Sequence, residues 1–197
     1  GVIITGDIMV DAVLQNVEKA QAESTIHART GIHPDQPYAA VTIHRPANTD
    51  NPVALRGIID GLNALDLPVI FPVHPRTQKT LENLNIPTGK HVQFIEPLAY
   101  LDMLRLLDCA AVLLTDSGGL QKESYILRTP CVTIRPETEW VETVASGWNR
   151  LTAPEPDAIV AAVHTALNSI PASHPDFYGD GSAARQMVNA LENYPES

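Results

Sequence analysis

Short apolar runs alternate with longer amphipathic stretches along almost the whole chain. The runs at 2–5, 38–43, 68–73, Val92–Ile95, 110–115, Cys131–Ile134 and 148–151 predict strands. Between them the apolar positions recur at helical spacing, which predicts helices over Ile8–Glu23, 52–65, 77–84, 100–107, 120–127, 139–145 and Pro156–Asn168. Ile159, Val160, Val163, Ala166 and Leu167 give the last of these one apolar side. A βα alternation of this kind predicts an α/β fold, a Rossmann-like parallel sheet with helices on both faces. The stretch "PASHPDFYGDG" at 171–181 breaks the pattern with Pro, Gly and Asp and reads as a linker before a final helix over 183–193. The expected division is therefore a Rossmann-like domain at 1–170, a linker at 171–182 and a C-terminal helical segment at 183–197.

Composition narrows the function classes. With 197 residues, 44% hydrophobic and 18% charged, the chain suffices for one sizeable domain. It has no run of about 18 apolar residues, so no membrane span is expected. "GVIITGDIMV" lacks the positive flank of a signal peptide and starts inside an apparent strand, so a cytoplasmic fragment is expected. The net charge of −10 argues against nucleic acid as a partner. Cys109 and Cys131 lie in or beside apolar runs and read as buried free thiols, with no metal-ligand spacing. No cofactor or metal is expected.

Ligands of an open parallel sheet bind beyond the carboxyl ends of its strands. His44 and Arg45, His74 and Arg76, Glu96, Asp116 and Ser117, and Arg135 and Glu137 each follow a strand-like run. In "TDSGGLQKES" at 115–124, Ser117, Gly118 and Gly119 fall between a strand and a helix, where backbone N–H groups can face a phosphate. The same glycines can also serve only a tight turn. Glu123, one helical turn later, suits two ribose hydroxyls better than a phosphate. The chain has no Gly-x-Gly-x-x-Gly and no Walker loop, which counts against NAD and ATP.

On these residues the sequence resembles the non-hydrolysing UDP-N-acetylglucosamine 2-epimerases. "TGDIMVDA", "VTIHR" at 41–45, "FPVHPRT" at 71–77, "TDSGGLQKES", "RPETEWVETV" at 135–144 and "YGDG" at 178–181 match in the family's order and cover nearly the whole chain. The resemblance implies the C-terminal, nucleotide-binding half of a glycosyltransferase-B-type fold. Its final helix would reach a missing N-terminal domain, and the full-length protein would be a homodimer. It further implies that Ser117, Gly118 and Gly119 bind phosphate and that Glu123 binds ribose. Leu98 would hold uracil by its backbone, Met103 would pack beside the base, and His44 would stand as a catalytic residue near the diphosphate. The family's chemistry is C2 inversion of a UDP-sugar through loss and re-addition of UDP, with the catalytic carboxylates in the missing half. A UDP-sugar glycosyltransferase of the same fold, or a non-catalytic nucleotide-sugar-binding module, stays open beside this reading.

The sequence departs from the family pattern at Ala47, where an acidic residue is usual, at Trp140, where many members have Arg, and at Lys122, a common Glu. The Lys and Trp variants resemble a branch that includes enzymes acting on UDP-diacetamido-uronic acids, so the sugar stays open.

Overall fold

The computed structural model describes residues 2–193 apart from the side chain of Arg76. Helices α1 (Ile8–Glu23) and α2 (Ile26–Thr30) precede β1 (Ala39–Thr42). Then α3 (Pro46–Thr49) and α4 (Pro52–Asn63) lead to β2 (Val69–Pro72), and α5 (Pro75–Asn83) leads to β3 (Val92–Ile95). Next come α6 (Tyr100–Asp108), β4 (Val112–Thr115), α7 (Gly118–Ile126), β5 (Cys131–Ile134), α8 (Val141–Ala145), β6 (Asn149–Thr152), α9 (Pro156–Asn168) and α10 (Ala183–Glu192).

The strands form one sheet in the order β3-β2-β1-β4-β5-β6, with every pairing parallel. This is a Rossmann-like α/β fold, and its order reverses between β1 and β4. Side chains alternate across the sheet as the pleat requires. Ala39, Val41, Val112, Leu114, Val132 and Ile134 enter one core with Leu55, Ile58, Ile59 and Leu62 of α4 and Ile159 and Val163 of α9. Ala40, Leu113 and Cys131 enter the opposite core with Ile26, Leu106 and Leu107. Burial on both faces explains why these strands read as continuous apolar runs.

The helix ends follow from short-range chemistry. Asp7 caps α1 by accepting from the Met9 N–H at 2.9 Å, and Asn51 caps α4 through the Val53 N–H at 3.0 Å, followed by Pro52 in the first turn.

Four features differ from the sequence reading or add to it. Residues 2–5 form no strand, and Val2 and Ile4 are 96% and 91% exposed. A strand needs an edge to pair with, and the edges of this sheet are β3 and β6. The segment instead enters a turn at Gly6, φ +85°, and the Asp7 N–H donates to the Tyr178 carbonyl at 2.8 Å. Two short helices, α2 and α3, were not expected; α3 begins at Pro46, whose fixed φ suits a first turn. Cys131 is buried, and burial pushes its thiol up to about 11, but Cys109 is only half-buried.

The stretch at 171–182 has no regular structure, yet it is packed. His174 stacks on Tyr125 with ring centres 4.2 Å apart, and Trp148 Nε1 donates to the Ser173 carbonyl at 2.9 Å. Buried Asp11 accepts from the Ala183 and Ala184 N–H groups at 3.1 and 3.0 Å, fixing the start of α10 against α1. The last residues of the expected C-terminal segment, 194–197, lie outside the described residues.

Candidate functional site

Thr42 of β1 pairs in register with Thr115 of β4, which pairs with Thr133 of β5. His44, Ser117 and Arg135, each two residues further on, therefore leave the sheet at one level. Asp116 ties these exits together. It is 0% exposed, and its carboxylate accepts from the His44 N–H at 3.0 Å, the Arg45 N–H at 2.9 Å and Asn48 Nδ2 at 3.0 Å. Asn48 Nδ2 also donates to the Ile134 carbonyl at 3.2 Å, so β1, β4 and β5 are stitched at the switch point. The His44 imidazole is 57% exposed, with Nδ1 3.8 Å from Asp116 Oδ1. Its ring is therefore largely exposed beyond the carboxyl end of β1.

Ser117 is the N-cap of α7, and its N–H donates to Thr115 Oγ1 at 3.0 Å. Gly118 and Gly119 begin the helix, where first-turn N–H groups lack helical partners. Neither glycine has a positive φ, so the turn does not need glycine for its backbone. What the missing Cβ provides is space. A Cβ at Gly119 would meet only Ser117 Oγ, at 4.0 Å. At Gly118 it would lie 3.7 Å from Glu139 Oε2, 3.8 Å from Trp140 Nε1 and 3.9 Å from Arg45 Nη2.

The inner side of α7 is polar, which is why its amphipathic pattern is faint. Buried Gln121 donates to the Ser117 carbonyl at 3.2 Å and accepts from Thr138 Oγ1 at 2.5 Å and Asn149 Nδ2 at 3.1 Å. These bonds hold the β5–α8 connection against the turn. Trp140 Nε1 donates to the Gly118 carbonyl at 2.8 Å. Lys122 Nζ lies 4.2 Å over the Trp140 ring and is ion-paired with Asp7. Two of the sequence departures, Lys122 and Trp140, thus touch each other. Asp7 is held below the usual carboxylate range: burial pushes the group up, but the Lys122 ammonium and the Met9 N–H outweigh it.

Glu123 is partly buried; its carbonyl accepts from the Leu127 N–H at 3.0 Å, and among the described residues no hydrogen bond or ion pair to its carboxylate is seen. Burial raises its pKa. Its charge is felt at Tyr100, at the start of α6, whose phenol is pushed up first by burial and then by Glu123. Leu98 and Met103, on the loop before α6 and in its first turns, are partly buried against the core on that side. Glu123 thus lies within electrostatic reach of the start of α6, the helix that carries Met103. Glu96 and Glu137 are exposed at their strand ends, and the Arg76 side chain lies outside the described residues.

A family model described as UDP-N-acetylglucosamine 2-epimerase matches residues 1–192. The chain belongs to this family. A curated relative in Pseudomonas aeruginosa, UDP-2,3-diacetamido-2,3-dideoxy-D-glucuronate 2-epimerase, is 36% identical over 96% of this chain and 52% of its own length. The UDP-GlcNAc 2-epimerase of Methanocaldococcus jannaschii, solved in complex with UDP-GlcNAc and UDP, superposes with a TM-score of 0.84 at 34% identity over 96% of this chain and 54% of that one. An ADP-heptose heptosyltransferase of Escherichia coli, at 11% identity and TM-score 0.55, shares the fold alone. The chain thus spans about half the length of the relatives it matches, and its fold is the C-terminal part of an epimerase of glycosyltransferase-B type.

Within this epimerase half, three groups carry geometry that the strand-end reading did not single out. Asp116 was one strand-end polar residue among several, and only its neighbours show that it organises the switch point. Glu139 and Arg135 are paired by a bidentate contact that no spacing rule announced. The contact between Lys122 and Trp140 was signalled by both departing from the family pattern, without a hint that they meet.

Proposed function

We propose that this chain is the UDP-binding half of a UDP-sugar 2-epimerase, which inverts C2 of the sugar through elimination and re-addition of UDP. The observation that carries the reading is the pairing of the open Gly118-Gly119 start of α7 with the partly buried Glu123 one turn further on, whose carboxylate has no partner among the described residues. The N–H groups of the first turn suit a diphosphate, and Glu123 suits two vicinal hydroxyls of ribose. Leu98 and Met103 supply the surface for uracil, and His44 faces the reacting end of the diphosphate. The complex of the M. jannaschii relative with UDP-GlcNAc and UDP supports this assignment.

Chemistry at C2 needs acid/base groups near neutrality and stabilisation of the departing diphosphate. Residues 2–193 supply the diphosphate end; the proton-transferring carboxylates belong to the absent half. The outer side of α10 supports docking of that half, since Met187, Val188 and Leu191 are 38%, 53% and 77% exposed. The full-length protein is proposed as a homodimer. The sugar is N-acetylglucosamine or its 2,3-diacetamido-uronic counterpart, the two named for its relatives.

The test is a calorimetric titration of the chain with UDP, paired with an NMR assay for C2 inversion using both UDP-sugars. With half of the contacts present, the dissociation constant is expected in the micromolar to millimolar range, about −8 to −4 kcal/mol. No inversion is expected from the chain alone. Absence of UDP heat and of any thermal shift at millimolar ligand would sink the binding assignment, and turnover by the purified chain would refute the division of labour.

Glu123→Gln keeps the shape and one acceptor oxygen but removes the charge from the ribose bonds. Charge-assisted bonds contribute about 1.5–3 kcal/mol and neutral ones about 0.5–1.5, so the expected loss is about 1 kcal/mol, near fivefold. The loss should vanish with a dideoxyribose analogue; equal loss with both ligands removes Glu123 from the ribose. The sign with pH follows from the raised pKa. The ionised carboxylate is the acceptor, so UDP affinity falls as pH drops through that raised value, earlier than an ordinary carboxylate would dictate. Glu123→Gln should erase that acid limb.

A further inference from the structure

Above the start of α7 sits a carboxylate between two arginines. Arg135 Nη1 and Nη2 each donate to Glu139 at 2.9 Å, and Arg45 Nη2 lies 3.9 Å from Glu139 Oε1. Glu139 Oε2 in turn stands 3.7 Å from where a Cβ would project at Gly118, against the turn assigned above to phosphate. The Arg135 side chain is 10% exposed and that of Glu139 is 52% exposed. The arginine is therefore fixed by its surroundings, and the glutamate is the partner free to leave. Both arginines also border a hollow of about 190 Å³, lined with Ala47, Asn48 and Ile134. Direct bonding by Arg135 holds the Glu139 carboxyl at about 2, so it stays charged at every working pH.

We propose that Glu139 is a resident anion of this site: it occupies the guanidinium groups of Arg45 and Arg135 until the diphosphate of an incoming ligand displaces it. This inference rests on the reading of α7 as the diphosphate turn. A carboxylate so close to that turn opposes a diphosphate by like charge, while two guanidinium groups match phosphate oxygens as well as they match a carboxylate. On binding, Glu139 swings into solvent and leaves the two guanidinium groups open to the ligand. Glu139 thereby sets the affinity for UDP without touching it and selects against weakly charged ligands. A nucleoside monophosphate brings less charge to exchange for the bidentate pair. It is a positioning and selectivity residue, not a catalytic one.

The test compares Glu139→Gln and Glu139→Ala with the unaltered chain, by calorimetry with UDP, UMP and uridine at low and moderate salt. Glu139 is half-exposed, and thermal melting checks that both variants fold. The expected result is UDP binding tightened about fivefold, UMP tightened more than UDP, and uridine unchanged. The gain should shrink as salt screens the charges. Unchanged or weaker UDP binding in both folded variants overturns the proposal and makes Glu139 a brace that aims Arg135. An equal change for uridine also overturns it, because the effect would not pass through phosphate. If the unaltered chain binds uridine but gains nothing from the phosphates of UDP, the reading of the α7 turn fails, and this proposal falls with it.

Discussion

Gly119→Val leaves the chain folded and lowers UDP affinity by at least about a hundredfold, or about 2.7 kcal/mol. The fold is spared because nothing stands in the way of the new side chain: a Cβ at 119 meets only Ser117 Oγ, at 4.0 Å. The residue lies in the first turn of α7 without a positive φ, so a side chain brings no backbone strain. Valine is, if anything, a better helix residue than glycine, by a few tenths of a kcal/mol. The space it fills is the approach to the free N–H groups of the turn, and a branched Cβ there keeps phosphate oxygens beyond hydrogen-bonding distance. Gly118 is the poorer probe, because its Cβ would already touch Glu139, Trp140 and Arg45, and an effect there would not report on the turn alone. Calorimetry with UDP reads the loss, and the melting temperature of the unliganded chain reads the fold. A folded Gly119→Val protein with unaltered UDP affinity would take the phosphate out of this turn and leave the glycines as structure only.

The same turn shows where sequence reasoning reached and where it stopped. Strands buried on both faces announce themselves as apolar runs, and β3, β5, α1 and α9 lie where periodicity placed them. Residues 2–5 have the same apolar character and form no strand, because apolarity states a preference for burial and not the presence of a partner edge. Ser117, Gly118 and Gly119 were legible because a hydroxyl and two glycines between strand and helix form a local pattern. Asp116 was not, since its meaning lies in contacts with residues far apart in sequence, and the Arg135–Glu139 pair, four residues apart, lies in an irregular connection where no helical spacing announces it. Asp116 bonds across to residues 44–48, and Gln121 of α7 joins Thr138 of the β5–α8 connection to Asn149 of β6. Likewise "PASHPDFYGDG" has the composition of a linker, yet His174, Phe177 and Tyr178 close around Tyr125, because aromatic residues in a polar stretch still seek burial.

Asp116→Ala should destabilise the chain by about 3–5 kcal/mol, the larger of the two effects on folding. The carboxylate is fully buried and accepts three hydrogen bonds, from the His44 and Arg45 N–H groups and from Asn48 Nδ2. Removing it strands these donors, each at a cost of about 1–3 kcal/mol where water cannot reach. Part of the loss is offset, since a desolvated charge is removed as well and Asn48 keeps its bond to the Ile134 carbonyl. In a chain of this size the change corresponds to a fall in melting temperature of roughly 10 °C. The connection from β1 to α3, which carries His44 and Arg45, then loses its anchor to β4, so UDP binding should weaken beyond what the unfolded fraction explains. Asp116→Asn separates the two roles: it keeps the volume and one acceptor, and should lie between the parent and the alanine variant in urea unfolding. A melting temperature within 2 °C of the parent for Asp116→Ala would show that water replaces the carboxylate and that the switch point is held by the sheet alone.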